Sequence, residues 1–336
     1  MKIAKTFTVV DAHTTGTPIR VITGGIPRLR GDTMSQKMWD MEQRFDWMRS
    51  CIACQPRGFQ SLVCAVLTQP CSKEADYGVF YLDAKSYQPM CGAGTLSVAK
   101  VLVETGMVEK TEPVTEIVLE TPAGIVRTSV EIQNGEVQRI SLENTPAFLC
   151  GQNVQLHVPE LGDLTVDIGF GGNFFVLVNT AQLPLPLNRE NRSHFKTYMR
   201  QILRAADAQI HVQHPLNPEL TTLDQVLFYN DTLDENGGYT CQCVFGDAQL
   251  DISPCGTGTC TRLAQMYTWK RVGLQEQFIQ NSIWNSSFYA VALQEIRVGD
   301  HIAVVPRISC QDVRITGFNQ LVVEDGDLHR DGFICW

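Results

Sequence analysis

Two cysteines stand in nearly the same local sequence, in a pattern that suits proton-transfer chemistry. Cys91 lies in the sequence PMCGAGT and Cys255 in the sequence SPCGTGT. Each cysteine is followed by a glycine-rich turn and then by apolar residues at helical spacing, so each is predicted to lie where a loop enters a helix. Unpaired N–H groups at a helix start can bind a carboxylate and help a thiol to ionise.

Two thiols of this kind can invert a stereocentre that is next to a carboxylate. If one thiol is ionised and the other is neutral, the first removes the Cα proton and the second returns a proton on the opposite face. The carbanion needs stabilisation, which amide donors at the two helix starts would provide. Asp251 lies four residues before Cys255, where its carboxylate would either hold a substrate ammonium or cap the turn.

The other cysteines have more ordinary explanations. The chain has 12 cysteines, and a free cysteine is most often a small buried residue. Cys51 and Cys54 have the spacing of half a zinc site or of a thioredoxin-type pair, and Cys241 and Cys243 are closer still. Neither pair has the second ligand pair or the strand-to-helix context that such sites need. No metal site is therefore predicted at these pairs.

Length and composition indicate an ordinary two-domain globular protein. The 336 residues are too many for one core, and 44% are hydrophobic and 19% charged. A formal net charge of −9 argues against a nucleic-acid partner. The apolar runs are too short to span a membrane, and the N-terminus lacks a signal-peptide pattern. A cytoplasmic location with free thiols is expected.

The elements that must hold the two cysteine turns are short strands and a few helices. Each half reads as strands, a helix, more strands, and then a cysteine turn that opens another helix. Helices that precede the turns are predicted at residues 33–48 and 193–206. Asn134-Gly135 predicts a two-residue hairpin turn. Many short strands around one central helix favour a closed or nearly closed, mostly antiparallel sheet in each half, which is an α+β arrangement.

Several stretches resemble the proline racemase family, which includes hydroxyproline 2-epimerases and trans-3-hydroxyproline dehydratases. The Cys255 turn is the most specific of them. Supporting stretches cover nearly the whole chain and lie at residues 11–20, 75–76, 90–92, 120–124, 171–174 and 315–317. The resemblance implies a fold similar to diaminopimelate epimerase, with two pseudo-symmetric domains, each a barrel-like sheet around a helix. The expected domains are residues 1–115 plus 311–336, with Cys91, and residues 116–310, with Cys255.

The resemblance also implies a reaction and a set of site residues. The reaction is cofactor-independent inversion of a small cyclic amino acid, with Cys91 and Cys255 as the two bases and Asp251 as the partner of the substrate amine. Amide donors to the carboxylate are expected at Gly92, Ala93, Gly256 and Thr257. The pocket positions are Val63, Tyr81 and Phe245. They describe a mainly apolar pocket with one phenol hydroxyl, which favours proline over 4-hydroxyproline. A homodimer is compatible with the resemblance.

Two departures from the family pattern keep alternatives open. The family usually has histidine at the position of Ala93 and arginine at the position of Ile252. The alternatives are a dehydratase-like lyase and a non-catalytic relative that binds an amino acid or uses its thiols for redox sensing. The dehydratase branch replaces one catalytic cysteine with serine or threonine. The presence of both cysteines therefore favours racemase or epimerase chemistry.

Overall fold

The computed structural model describes residues 2–235 and 237–335 and divides into two compact units. Unit 1 comprises residues 1–142 and 310–336, and unit 2 comprises residues 143–309. This division places residues 116–142 in unit 1, whereas the sequence analysis placed them in the second domain. The reason is strand pairing, because the strand that begins at Val114 pairs with the strand that begins at Tyr77.

The elements of unit 1 are two long helices and a set of strands of very unequal length. They are β1 (Ile3–Thr14), β2 (Thr17–Gly24), α1 (Met34–Ala53), β3 (Val63–Thr68), β4 (Tyr77–Leu82), β5 (Tyr87–Gln88), α2 (Gly92–Glu104), β6 (Val114–Thr121), β7 (Gly124–Gln133), β8 (Glu136–Glu143) and β18 (Val313–Glu324). The main sheet runs in the order β18, β1, β2, β3, β4, β6, β7.

Helix α2 is the centre of unit 1. It packs against β1, β2, β3, β7 and β18. Its sequence is small and aliphatic on every side, and all its residues except Lys100 and Glu104 are buried. A helix that is apolar all round is stable only when it is surrounded by protein. The two exceptions form an ion pair at 3.1 Å, which satisfies both charges on the side that reaches solvent.

Unit 2 is built from a similar set of elements. They are β9 (Ala147–Val158), β10 (Gly162–Phe170), β11 (Phe174–Asn179), α3 (Arg192–Gln209), β12 (Gln225–Leu233), β13 (Tyr239–Phe245), β14 (Gln249–Leu250), α4 (Gly256–Thr268), β15 (Gln277–Ser282), β16 (Ser287–Val298) and β17 (His301–Cys310). A short 3-10 helix at Thr180–Gln182 follows β11.

The strands of unit 2 close into a ring. The pairings run β9, β10, β11, β12, β13, β15, β16, β17 and return to β9, where Ala303 lies opposite Phe148. Helix α4 packs against β9, β10, β11 and β16. As far as the described residues show, closure leaves no edge strand in this ring, and the ring surrounds the helix that begins after Cys255.

The two units share one order of strand pairing. Along the unit 1 sheet the pairs are antiparallel, antiparallel, parallel, antiparallel, parallel and antiparallel. The ring of unit 2 repeats this order from β9 to β16. In each unit one helix is central, and a second helix also packs on the sheet: α1 packs on β3, β4 and β6, and α3 packs on β9, β12, β13 and β14. The predicted α+β class with a helix at the centre of each sheet is confirmed.

Several element predictions are confirmed and a few need correction. Both predicted helices that precede the cysteine turns are present, although α1 continues to Ala53 and is kinked at Phe45. Asn134 and Gly135 form the predicted turn, each with positive φ as a type I′ turn requires. The sequence analysis did not identify strands β9 and β15. Among residues 2–235 and 237–335, no helix is long and apolar enough to span a membrane.

Candidate active site

Cys91 lies at the start of α2, as its sequence context predicts. It is the N-cap residue of the helix, with an extended backbone at φ −140°. Its Sγ accepts a hydrogen bond from the N–H of Gly94 at 3.3 Å. The thiol therefore caps one of the N–H groups that a helix start leaves unpaired, and it lies beside the positive end of the helix dipole.

The first turn of α2 carries Gly92 and Ala93, the predicted amide donors. N–H groups in a first turn have no carbonyl partner within the helix. Ala93 is only 2% exposed, and its carbonyl oxygen accepts a hydrogen bond from the hydroxyl of Thr14 at 2.8 Å. A small side chain therefore occupies a tightly packed place where the family pattern has the larger histidine.

Tyr81 packs directly on this first turn. A Cβ added to Gly94 would lie 2.6 Å from Cε1 of the Tyr81 ring, so glycine is required for the close approach. The Tyr81 hydroxyl lies 2.6 Å from Oγ1 of Thr95, which in turn donates to the carbonyl oxygen of Cys91 at 2.8 Å. Burial raises the pKa of Tyr81. The phenol hydroxyl that the sequence analysis offered to a substrate is thus engaged within the fold.

Cys255 repeats the arrangement at the start of α4. It is the N-cap residue, and its Sγ accepts a hydrogen bond from the N–H of Gly258 at 3.3 Å. Its backbone differs, because φ is 65° and ψ is 112°, a region that residues other than glycine rarely adopt. Cys255 is 5% exposed. Both cysteine turns therefore place a thiol on a helix N-terminus with the same hydrogen bond.

Asp251 is connected to Cys255 through Ser253. Oδ1 of Asp251 accepts hydrogen bonds from the N–H of Ser253 at 2.9 Å and from its hydroxyl at 2.8 Å. The Ser253 hydroxyl oxygen accepts the N–H of Cys255 at 3.1 Å. Asp251 therefore caps the turn, which was one of its two expected roles. Its contact with a substrate amine remains a prediction.

Cys243, which the sequence analysis considered only together with Cys241 as a possible zinc-type pair, is a neighbour of this turn. One ligand atom each from Cys243, Asp251 and Cys255 lies within 4.8 Å of the other two, and all three residues are buried. Burial raises the pKa of Cys243, and a hydrogen bond with Cys255 raises it further. Within the described ranges, these three residues are the set that could hold a metal ion.

Gly256 and Thr257 begin α4 and are held by the loop between β10 and β11. Nδ2 of Asn173 donates to Oγ1 of Thr257 at 3.2 Å, and this oxygen lies 3.7 Å from Sγ of Cys255. A Cβ on Gly171 would lie 2.5 Å from the carbonyl oxygen of Thr257. The Gly-Gly-Asn loop can therefore approach the first turn only because its glycine has no side chain.

An ion pair between buried Arg262 and partly exposed Asp231 fixes the middle of α4. The side chain of Arg262 is fully buried, and its Nη2 lies 2.9 Å from Oδ1 of Asp231. Its Nη1 donates to Oε1 of Gln265 at 2.6 Å, and its guanidinium carbon lies 3.8 Å from the centre of the Tyr229 ring. Removing one partner of such a pair leaves an uncompensated buried charge. The orientation of the helix that carries Cys255 is therefore tightly defined.

The remaining predicted pocket residues are buried in their own sheets. Val63 begins β3, lies opposite Ile19 of β2 and is 2% exposed. Phe245 ends β13, lies opposite Gln249 of β14 and is 5% exposed. Both stand at strand ends. Of the three predicted pocket residues, the structure places Tyr81 directly against a cysteine turn, and the roles of Val63 and Phe245 remain predictions.

Comparison with known proteins identifies the family of this chain. A family model described as proline racemase matches residues 9–334. The chain belongs to the proline racemase family. Its similarity to the proline racemase of Clostridioides difficile is 35% identity over 334 residues, which is 99% of each protein. Its similarity to the 4-hydroxyproline 2-epimerase of Streptosporangium roseum is 34% identity, over 99% of this chain and 100% of that protein.

A solved structure in the family has nearly the same fold. The hydroxyproline epimerase from Agrobacterium vitis, determined with bound trans-4-hydroxy-L-proline, matches with a TM-score of 0.95 at 26% identity. The match covers 100% of this chain and 96% of that one. The predicted membership in the family and the predicted fold class are thereby confirmed.

Proposed function

We propose that this protein is a cofactor-independent racemase or epimerase that inverts Cα of proline or a hydroxyproline. Cys91 and Cys255 are the two bases. The observation that carries the proposal is the repeated turn, in which each thiol accepts a helix N–H at 3.3 Å. Two thiols that each lie at a helix N-terminus suit a reaction that must run in both directions.

The proposed reaction moves one proton off Cα and another onto it. One thiolate takes the Cα proton and becomes a thiol, while the electrons of the broken C–H bond pass to Cα and the adjacent carboxylate. The other thiol then donates its proton to the opposite face of Cα and becomes the thiolate. First-turn amides of Gly92, Ala93, Gly256 and Thr257 stabilise the negative charge on the carboxylate. Asp251 holds the substrate ammonium.

Proline is proposed as the first substrate to test. The pocket residues Val63 and Phe245 are apolar, and the hydroxyl of Tyr81 is engaged by Thr95 at 2.6 Å. Such a pocket offers a 4-hydroxyl little compensation for the water that it loses on binding. Proline is therefore expected to be a better substrate than 4-hydroxyproline.

The test is exchange of the Cα proton in heavy water, measured by NMR for a set of cyclic amino acids. Deuterium incorporation with inversion is expected for proline or a hydroxyproline. Cys91→Ser and Cys255→Ser should each lower inversion by at least about a hundredfold, because each removes a general acid–base. Cys71→Ser and Cys150→Ser are matched controls, since these cysteines are partly buried thiols outside the two turns.

The same screen separates the alternatives. Loss of water from trans-3-hydroxyproline without inversion of proline would replace the proposal with a dehydratase-like lyase. Absence of Cα exchange with every cyclic amino acid, at high protein concentration and with correctly folded protein, would refute enzymatic turnover. A non-catalytic binding or redox protein would then be the better description.

A further inference from the structure

The cluster of Cys243, Asp251 and Cys255 is held together by the backbone of unit 2. Cys243 lies in β13, and its carbonyl oxygen accepts the N–H of Asp251, just after β14, at 3.0 Å. The side-chain amide of Gln242 donates to the carbonyl oxygens of both Cys243 and Asp251, at 2.7 and 2.8 Å. Ser253 then links Asp251 to Cys255. The convergence of the three side chains therefore follows from the fold.

The donor atoms suit a soft divalent cation. Zn²⁺ binds thiolate sulfur at about 2.3 Å and carboxylate oxygen at about 2.0–2.2 Å in a tetrahedron, which places neighbouring ligand atoms roughly 3.5–4 Å apart. The three ligand atoms here lie within 4.8 Å of one another, so small side-chain rotations would bring them onto one ion. Thiolate ligands select Zn²⁺ over Mg²⁺ and Ca²⁺. A fourth position would remain for water.

Apart from its hydrogen bond with Cys255, the Cys243 thiol makes few interactions. Its hydrogen bond to Oε1 of Gln225 is long, at 4.0 Å, and its nearest ionisable neighbours are Cys255, Asp251 and Cys241. All of these groups become negative when they ionise. A bound cation would therefore balance the negative charge of these buried groups. If Cys243 only filled space, any small apolar side chain could replace it.

We infer that Cys243, Asp251 and Cys255 form a binding site for Zn²⁺ or a similar soft cation, and that a bound cation excludes the amino-acid substrate. Binding forms two sulfur–metal bonds and one oxygen–metal bond, and the displaced thiol protons pass to solvent. The exclusion rests on the proposed function, in which Asp251 and Cys255 contact the substrate. The metal site itself does not depend on it.

The first experiment titrates metal-free, full-length protein with Cd²⁺ and follows the thiolate-to-cadmium absorption band in the near ultraviolet. Cys243→Ala is expected to weaken the binding that this band reports by at least about tenfold, since even indirect partners of a metal ligand cost this much. Cys241→Ala is the matched control. Cys241 is two residues earlier on β13 and equally buried, but its thiol donates to the carbonyl oxygen of Pro254 at 3.2 Å. Equal affinity in the wild type and Cys243→Ala would overturn the assignment.

A second measurement keeps the inference testable if Cys243→Ala folds poorly. Saturating Cd²⁺ should slow alkylation of Cys255 by iodoacetamide in the wild type by at least about tenfold, as judged by peptide mass spectrometry. Cys243→Ser, which is nearly isosteric, should lose this protection. Unchanged alkylation of Cys255 in the wild type would refute the site.

A competition experiment tests whether a bound cation excludes the amino-acid substrate. A planar proline analogue should weaken apparent Cd²⁺ binding in proportion to its own occupancy, and an unchanged Cd²⁺ titration would overturn the exclusion. Failure of the proposed function is distinguishable from failure of the metal site. If no cyclic amino acid exchanges its Cα proton but the Cys243-dependent cadmium band is present, the metal site stands and the racemase proposal falls.

Discussion

The two cysteines share a hydrogen bond to a helix N–H, but different residues support their turns. On the Cys91 side, Thr95 joins the Tyr81 hydroxyl to the Cys91 carbonyl oxygen. On the Cys255 side, Ser253 joins the Asp251 carboxylate to the Cys255 N–H. The first turn is therefore positioned by neutral hydroxyl groups and the second by a carboxylate, so the residues around each thiol should respond differently to substitution.

The contact between Tyr81 and Thr95 gives a prediction at the residue scale. Thr95→Val leaves the fully buried Tyr81 hydroxyl without its partner, which should cost about 1–3 kcal/mol of unfolding free energy. Tyr81→Phe removes the hydroxyl itself and leaves Thr95 bonded to Cys91, so about 1 kcal/mol is expected. Chemical denaturation of both single variants measures the two values.

The double variant decides whether the two hydroxyl groups act as a pair. With both removed, no polar group is left unpaired, so the double variant should be less destabilised than the sum of the single variants. Strict additivity would show that the hydroxyl contact contributes nothing. Thr14→Val, which removes the hydroxyl bonded to the carbonyl oxygen of Ala93, is a useful comparison on the other side of the same turn.

The sequence predicted the cysteine turns well because their geometry is local. A cysteine followed by Gly-x-Gly-Thr and an apolar helical pattern contains the N-cap, the turn and the first helical residues. Cys243 could not be found in this way, because it reaches Cys255 through strand pairing and a hairpin. The one available signal was Cys241-Gln-Cys243, two cysteines on one face of a strand. That signal does not indicate what lies opposite.

At the scale of elements, the loop that follows α3 depends on a neutral histidine. Nδ1 of His214 accepts the N–H groups of Leu216 at 3.2 Å and Asn217 at 3.1 Å. Its ring packs edge-on against Phe148 and Phe170. An imidazole can accept a hydrogen bond only when that nitrogen carries no proton. The loop is therefore built for the uncharged form.

This histidine makes the stability of unit 2 sensitive to pH. Burial lowers the pKa of His214, and nearby His301 lowers it further. The stability that neutral His214 contributes is fully present above about pH 6.5, the pKa of histidine in the unfolded chain. It is lost as the pH falls below this value and through the lower pKa of His214 in the folded protein. Thermal unfolding between pH 7.5 and 5 should show this loss. His214→Gln should flatten the dependence, whereas His211→Gln, which replaces an exposed histidine three residues earlier, should retain it.

Element boundaries show where sequence patterns lose information. The strand β9 was missed because Gly151 and Asn153 interrupt its alternation of buried and exposed residues, and its pairing with β10 shifts register there. Asn153 has a positive φ of 51°, which marks an irregular strand. In contrast, α3 was predicted within a few residues because Phe195, Met199, Ile202 and Ala206 recur on one buried face.

At the scale of the whole molecule, the strands of the two units pair in the same order, but only unit 2 is formed by one continuous segment of the chain. Unit 2 is one continuous segment whose ring closes on itself through β17 and β9. Unit 1 is made of two segments, because β18 returns to pair with β1 along almost the entire length of both strands. The stability of unit 1 therefore depends on β18.

Truncation should separate the two units. A fragment of residues 143–309 is expected to fold with a cooperative thermal transition, because it contains every strand of its ring. A chain that ends at residue 309 loses β18 and leaves β1 as a long unpaired edge, which favours aggregation. Size-exclusion chromatography and circular dichroism compare the two. A soluble, cooperatively folded 1–309 chain would contradict the role given to β18.

Whole-molecule features were predictable to different degrees. The two similar halves followed from the repeated cysteine turn, which is visible in the sequence. The boundary near residue 142 could not be predicted, since only the pairing of β6 with β4 shows that the chain remains in the first unit after residue 115. Strand pairing between distant segments leaves no local pattern, which is why topology was inferred from family resemblance.

The positive φ of Cys255, 65° against −140° at Cys91, has a consequence for protein engineering. A non-glycine residue in this region costs on the order of 1–3 kcal/mol, which glycine avoids. Selection for thermal stability alone would therefore drive Cys255 towards glycine, and it would have much less reason to do so at Cys91. A redesign guided by stability would therefore remove Cys255, one half of the proposed reaction centre, and the loss would be scored as an improvement.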